Sequence, residues 1–171
     1  MSDYDVDRKK GVNAFPAILG GVNLLAILQV GLSTMTMGVG FWDFLFVIIG
    51  AYFSIKTVRY ISKAHESMKT KIRTQDLASF PKKGIYSKIR HPIGAAFLYL
   101  NIASVLLFRS IALITVALIF GAMWFILARY QDNILIKQFG EEYEEHMKRA
   151  GMFRGKGDTS QRLQDTGYSM Y

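Results

Sequence analysis

Four long apolar stretches, 14–35, 38–60, 92–108 and 110–128, leave this chain few ways to fold. A helix needs about 20 predominantly apolar residues to cross the hydrocarbon core of a bilayer, and inside that core it must satisfy all of its own backbone polar groups. The pattern therefore predicts an all-α integral membrane bundle with about four transmembrane helices, the whole of 1–171 forming a single domain. Little more than Arg109-Ser110 lies between the third stretch and the fourth, which forces the two into an antiparallel hairpin. Lys56 and Arg59 stand close enough to the end of the second stretch to snorkel toward headgroups. The first thirteen residues carry charges of both signs and no compact signal-peptide pattern, so the first stretch is expected to remain as a helix.

A net charge of +8 raises the question of nucleic acid, and the distribution of charge answers it. Three Lys and Arg precede the first stretch, none falls in 33–40, ten lie from Lys56 to Arg90, one is Arg109, and seven follow from Arg129 onward. With four alternating spans, twenty of the twenty-one fall on one side of the membrane, the positive-inside pattern. Both termini and the central loop are expected in the cytosol, the basic surface serving topology and anionic headgroups. No aromatic-rich basic reading surface is present, so no nucleic-acid partner is expected. Cysteine is absent, which excludes disulfides, thiolate zinc sites and a cysteine nucleophile. His65 and His146 read as surface histidines without ligand partners at suitable spacing, so no metal is expected. Asp43, beside Trp42, is expected at the outer interface, and no ionisable residue lies deep in a span as a channel would require.

Three polar portions remain: an N-terminal arm, a central loop from about Lys63 to Arg90, and everything after Ala128. In 130–150, Leu135, Phe139, Tyr143 and Met147 recur every four residues while Lys137, Glu141, Glu142, Glu144 and Lys148 fall elsewhere, which predicts an amphipathic cytosolic helix. Its apolar stripe is expected on the membrane surface or against the hairpin, and the Glu141 to Glu145 run reads as a solvated face. Gly151 reads as its stop, and 155–171 as a mobile tail. Because the hairpin sets its two cytosolic ends side by side, Tyr86, Arg90 and His91 before the third helix should meet Asp132 after the fourth. Such a place can grip a polar ligand next to a lipid-soluble one.

Gly84-Ile85-Tyr86-Ser87-Lys88-Ile89-Arg90-His91-Pro92, then a hairpin, then Phe139-Gly140-Glu141-Glu142-Tyr143, resembles the C-terminal half of the isoprenylcysteine carboxyl methyltransferase and phospholipid methyltransferase superfamily, over about Phe80 to Arg149. The resemblance implies an integral membrane enzyme that uses S-adenosyl-L-methionine on a lipid or prenylated substrate taken from the bilayer. It implies that Tyr86 and the His91-Pro92 turn hold the cofactor, together with an acidic position that here is Gln131-Asp132. His91 would donate to the cofactor's carboxylate, Asp132 would pair with its ammonium, and Phe80 and Pro81 would wall the adenine. The chain departs from the superfamily's pattern at Gly94, where a tyrosine is usual, at Gln131-Asp132, where two glutamates are usual, and at Arg149-Ala150-Gly151, where Arg-Val-Pro is common.

Among substrates, a carboxylate is already ionised near neutral pH and needs only orientation and desolvation, whereas an amine needs a base to deprotonate it. The resemblance commits His91 and Asp132 to the cofactor, so carboxyl methylation of an isoprenylcysteine-type substrate is the preferred expectation. Arg129 is the first choice of cation to hold that carboxylate and Arg90 the second. N-methylation of a phospholipid amine is the alternative, and a non-catalytic scaffold on the same fold is another.

Overall fold

The computed structural model describes residues 3–36, 38, 40–73 and 80–155, and these residues form five α-helices and one short 3-10 turn. Helix α1 spans Asp3–Thr34, α2 Phe41–Arg73, α3 Pro92–Phe108, α4 Ala112–Phe139 and α5 Glu141–Arg149; the 3-10 turn is Gly84–Ser87. The expected tail at 155–171 lies outside the described residues beyond Gly155, as does part of the central loop at 74–79. Among the described residues there is no sheet, only a single parallel bridge between Ile89 and Gly151.

Three segments are long and apolar enough to cross a membrane, Phe15–Thr34, Phe41–Lys69 and Ala112–Phe139, and the protein is an integral membrane protein. The fourth expected span, α3, falls short of these three, with 17 residues and a rise of about 25 Å, although it runs from His91 at one end of the bundle to Arg109 at the other. Its sequence explains its place instead. Gly94, Ala95, Ala96, Ala103 and Ser104 are buried, and small residues of this kind let neighbouring helices approach closely. Pro92 opens α3 at the first helical position, where its missing N–H costs nothing. The core forms where Leu19 of α1 meets Phe120, Trp124 and Leu127 of α4, with Phe97 of α3 stacked on Trp124 at 4.8 Å.

Two expected boundaries also move. Helix α2 continues to Arg73, so the first part of the polar central loop is helical. The amphipathic helix expected over 130–150 is not one unit, because α4 runs unbroken through Phe139 and only then breaks at Gly140. Gly140 has φ 55°, a left-handed value that favours glycine, and it reverses the chain into α5. Helix α5 ends at Arg149, with Ala150 as its cap, two residues ahead of the expected stop.

The end of the bundle away from α5 is clasped by its two turns. Thr36 donates its amide to Phe108 O at 3.2 Å and its hydroxyl to Arg109 O at 2.9 Å, while the hydroxyls of Thr34 and Ser110 meet at 2.5 Å. Arg109 caps α3 with φ 50° and pairs with Asp43, which also accepts the Gly40 amide at 2.7 Å. The one basic residue expected on that side is therefore matched by an acidic one.

Candidate functional site

The opposite end of the bundle holds the residues singled out in the sequence. The 3-10 turn sits hard against α2: Gly84 has φ 65°, and a Cβ there would lie 2.3 Å from Ser67 Oγ. The turn buries Tyr86, and that burial pushes its phenol above the usual range. The chain then extends through Lys88 to His91, and the residues after α5 fold back along it as a strap. Arg90 N donates to Gly151 O at 2.8 Å, His91 N to Met152 O at 3.1 Å, and Gly151 N to Lys88 O at 3.1 Å.

This pairing aims Arg90 and His91 at α4, where Asp132 is only 2% exposed. Arg90 Nη1 donates to Asp132 Oδ2 at 2.8 Å, and His91 Nε2 meets Oδ1 at 2.8 Å. A carboxylate only accepts, so Nε2 carries the proton in this contact. Tyr143, on α5, donates its hydroxyl to the same Oδ1 at 2.5 Å. Burial raises the Tyr143 phenol, and its hydrogen bond to the Asp132 carboxylate raises it further. One carboxylate thus joins the mouth of α3, the polar end of α4 and the first turn of α5.

Beside this cluster is a cavity of about 310 Å³ lined by Phe80, Lys82, Ser87, Glu142, Glu145, His146 and Arg149. Phe80 forms its apolar wall and packs edge-on to Phe139 at 5.2 Å and to Tyr143 at 4.9 Å. Lys82 pairs with Glu142, and Arg149 with Glu145 at 3.2 Å. The acidic run is therefore partly engaged in ion pairs rather than simply solvated. His146 is half-buried against Phe80, at 5.2 Å between ring centres, which corrects its reading as a surface histidine. Burial, with Arg90 and Lys82 nearby, lowers its pKa, so the imidazole is neutral at pH 7.

The expected site residues divide into two groups. Arg90, His91 and Asp132 come together, Pro92 is buried directly behind them, and Phe80 lines the cavity with half-buried Pro81 beside it in sequence. Gln131 is half-buried and takes no part in the cluster's hydrogen bonds. Arg129 is exposed on α4, with its guanidinium over the Phe125 ring at 5.5 Å. At Gly94, a Cβ would meet Phe153 Cε1 at 2.9 Å and Trp124 Cε3 at 3.4 Å, so an aromatic ring delivered by the strap fills this space. Phe153 also faces the His91 ring at 6.3 Å.

Two contributors escaped the sequence reading. Tyr143 looked like one more apolar position on a helix stripe, although its place in the Phe-Gly-Glu-Glu-Tyr motif was a signal for it. Phe153 carried no signal, because the strap has no periodicity. S-adenosylmethionine presents a carboxylate, an ammonium and an adenine ring, and the cavity offers matching chemistry in Lys82 and Arg149, Glu142 and Glu145, and Phe80. Asp132, expected to hold the ammonium, has both oxygens engaged by protein groups.

The model of the isoprenylcysteine carboxyl methyltransferase family matches residues 44–137, more than half of the chain. That range takes in most of α2, all of α3 and the cluster residues Arg90, His91 and Asp132, and stops short of Tyr143 and the strap. No curated protein and no solved structure matches the chain.

Proposed function

The chain belongs to the isoprenylcysteine carboxyl methyltransferase family, and we propose that it methylates the carboxylate of an isoprenylcysteine-type, lipid-tailed substrate with S-adenosylmethionine as methyl donor. The observation that carries this reading is the Asp132 cluster, which fixes the mouth of α3 against α4 and α5 beside a cavity of about 310 Å³. In it, once the exposed Lys82–Glu142 and Arg149–Glu145 pairs open, Arg149 and Lys82 would hold the cofactor's carboxylate, Glu142 and Glu145 its ammonium, and Phe80 its adenine. When bound, the cofactor supplies an electrophilic methyl group on a sulfonium.

The protein's own contribution is orientation and exclusion of water. Asp132 keeps Arg90 and His91 in place, so His91 presents a fixed ring toward Phe153 at the start of α3. A carboxylate nucleophile is already ionised, so no proton needs to be removed, and a group that only positions the reactants is sufficient. The charge distribution supports placing this end, with both termini, on the cytosolic side.

N-methylation of a phospholipid amine stands as a second reading because His146, neutral and lining the cavity, is a base of the kind that reaction needs. Calorimetric titration of the purified protein in detergent with S-adenosylmethionine tests the enzyme reading: saturable heat is expected, and none at millimolar cofactor overturns it. A radiolabelled methyl assay on farnesylcysteine and on phosphatidylethanolamine then separates the two readings. A base-labile product from the first substrate supports the ester, and a base-stable product from the second replaces it.

A further inference from the structure

A lysine near the end of a membrane helix ordinarily reaches outward to the headgroups. Lys56 does the reverse. Its Nζ lies over the ring of Tyr52, one turn back into the apolar stretch of α2, at 4.8 Å, and over the ring of Tyr99 on α3 at 5.1 Å. Tyr99 is in turn stacked on Phe53 at 5.9 Å and edge-on to Tyr60 at 5.2 Å. The expected snorkelling of Lys56 is thus replaced by a cage of aromatic faces open to the bilayer, with Tyr52 53% exposed.

A second cation joins it. Arg154, next to Phe153 at the end of the strap, lies within electrostatic range of both Lys56 and Tyr60. Neither Lys56 nor Arg154 is paired with a carboxylate among the described residues. The tyrosine faces favour the Lys56 charge, and Arg154 adds a second positive charge on the same side, so an incoming anion meets two cations there. The place is also close to the cluster. Thr57, adjacent to Lys56, donates to Ala96 O at 3.2 Å in the second turn of α3, and Phe153, adjacent to Arg154, rests on Gly94 and faces His91. By contrast Arg90 is 9% exposed and held by Asp132, and Arg129 lies over Phe125.

We propose that Lys56 and Arg154, framed by Tyr52, Tyr60 and Tyr99, hold the carboxylate of the lipid-tailed substrate, in place of Arg129 and Arg90. This rests on the carboxyl-methylation reading above. The tail lies in the bilayer along the open face of α2 and α3, and the carboxylate is presented toward the start of α3.

The test is equilibrium binding of radiolabelled N-acetyl-S-farnesylcysteine to the full chain in phosphatidylcholine nanodiscs, with its methyl ester and phosphatidylglycerol as competitors. The wild type is expected to prefer the acid over the ester by about tenfold or more, as a charge-assisted contact implies. Lys56→Met is expected to abolish that preference and Lys56→Arg to restore part of it. An unchanged preference in Lys56→Met overturns the proposal, and so does displacement by phosphatidylglycerol at equal concentration, which would assign the site to a phospholipid phosphate. If Lys56→Met loses its melting transition, Arg154→Gln, at an exposed position, carries the test, with a reduced preference expected and an unchanged one overturning the proposal. Calorimetry with S-adenosylmethionine on the same samples keeps the readings apart: no cofactor heat in the wild type overturns the enzyme reading, while a Lys56-dependent acid preference is read without cofactor.

Discussion

The two ends of the bundle each place an arginine against an aspartate, and they use the pair for different ends. At one, Arg109 and Asp43 join two turns, with side chains 17% and 28% exposed. At the other, Arg90 and Asp132 are 9% and 3% exposed, and His91 and Tyr143 complete the coordination of the same carboxylate. The same two functional groups make a surface clasp in one place and a fixed cluster in the other. Environment decides which: near water, screening and competing hydration leave little net gain, whereas a buried charge must keep all its partners.

Asp132→Ala should give the largest effect, a loss of about 3–5 kcal/mol, because it strands the buried Arg90 and leaves His91 and Tyr143 without their acceptor. Thermal melting in detergent measures this, and a shift no larger than that of the Asp43 variant below would erase the distinction between the ends. Tyr143→Phe keeps the ring against Phe80 and removes only the hydroxyl, so about 1.5–3 kcal/mol is expected, the range for a hydrogen bond to a charged group. No measurable loss would mean that α5 is held by its ring alone.

The cluster end should also respond to acid. His146 has a folded pKa below its unfolded value of 6.5, so below that pH the unfolded chain binds the proton more readily. Stability should therefore be constant above about pH 6.5 and fall as the pH drops through it toward the lower folded pKa, and His146→Gln should flatten that limb in melts taken from pH 7.5 to 5.5. The smallest effect is expected for Asp43→Asn, whose melting midpoint should match wild type within scatter. A large shift there would show that the outer clasp is as demanding as the buried cluster.

How much of this was legible depended on what each residue's signal reports. The hydrophobic runs located the membrane helices, and the short Arg109-Ser110 connection was enough to predict that Asp132 would return beside His91. Helix ends were harder. Hydropathy reads the solvent around a helix, while the backbone ladder continues for as long as each N–H finds its i−4 carbonyl, so α2 runs on to Arg73 and α4 to Phe139 through polar sequence. The break at Gly140 was visible as a glycine but looked like the interior of one amphipathic helix. Lys56 was placed by the rule for lysines at helix ends, and that rule omits the competing attraction of two nearby tyrosine faces. The strap was not legible at all, since its contacts are backbone hydrogen bonds between segments far apart in sequence.

That strap also sets an order of assembly during synthesis. In a chain made from its N-terminus, α3 and α4 are synthesised before α5 and Gly151. Until then the amides of Arg90 and His91 lack the carbonyls of Gly151 and Met152, and Asp132 lacks the Tyr143 hydroxyl. A chain cut short before residue 151 would lack the strap and leave that polar mouth unfinished. Completion of the site thus reports that translation has passed the strap.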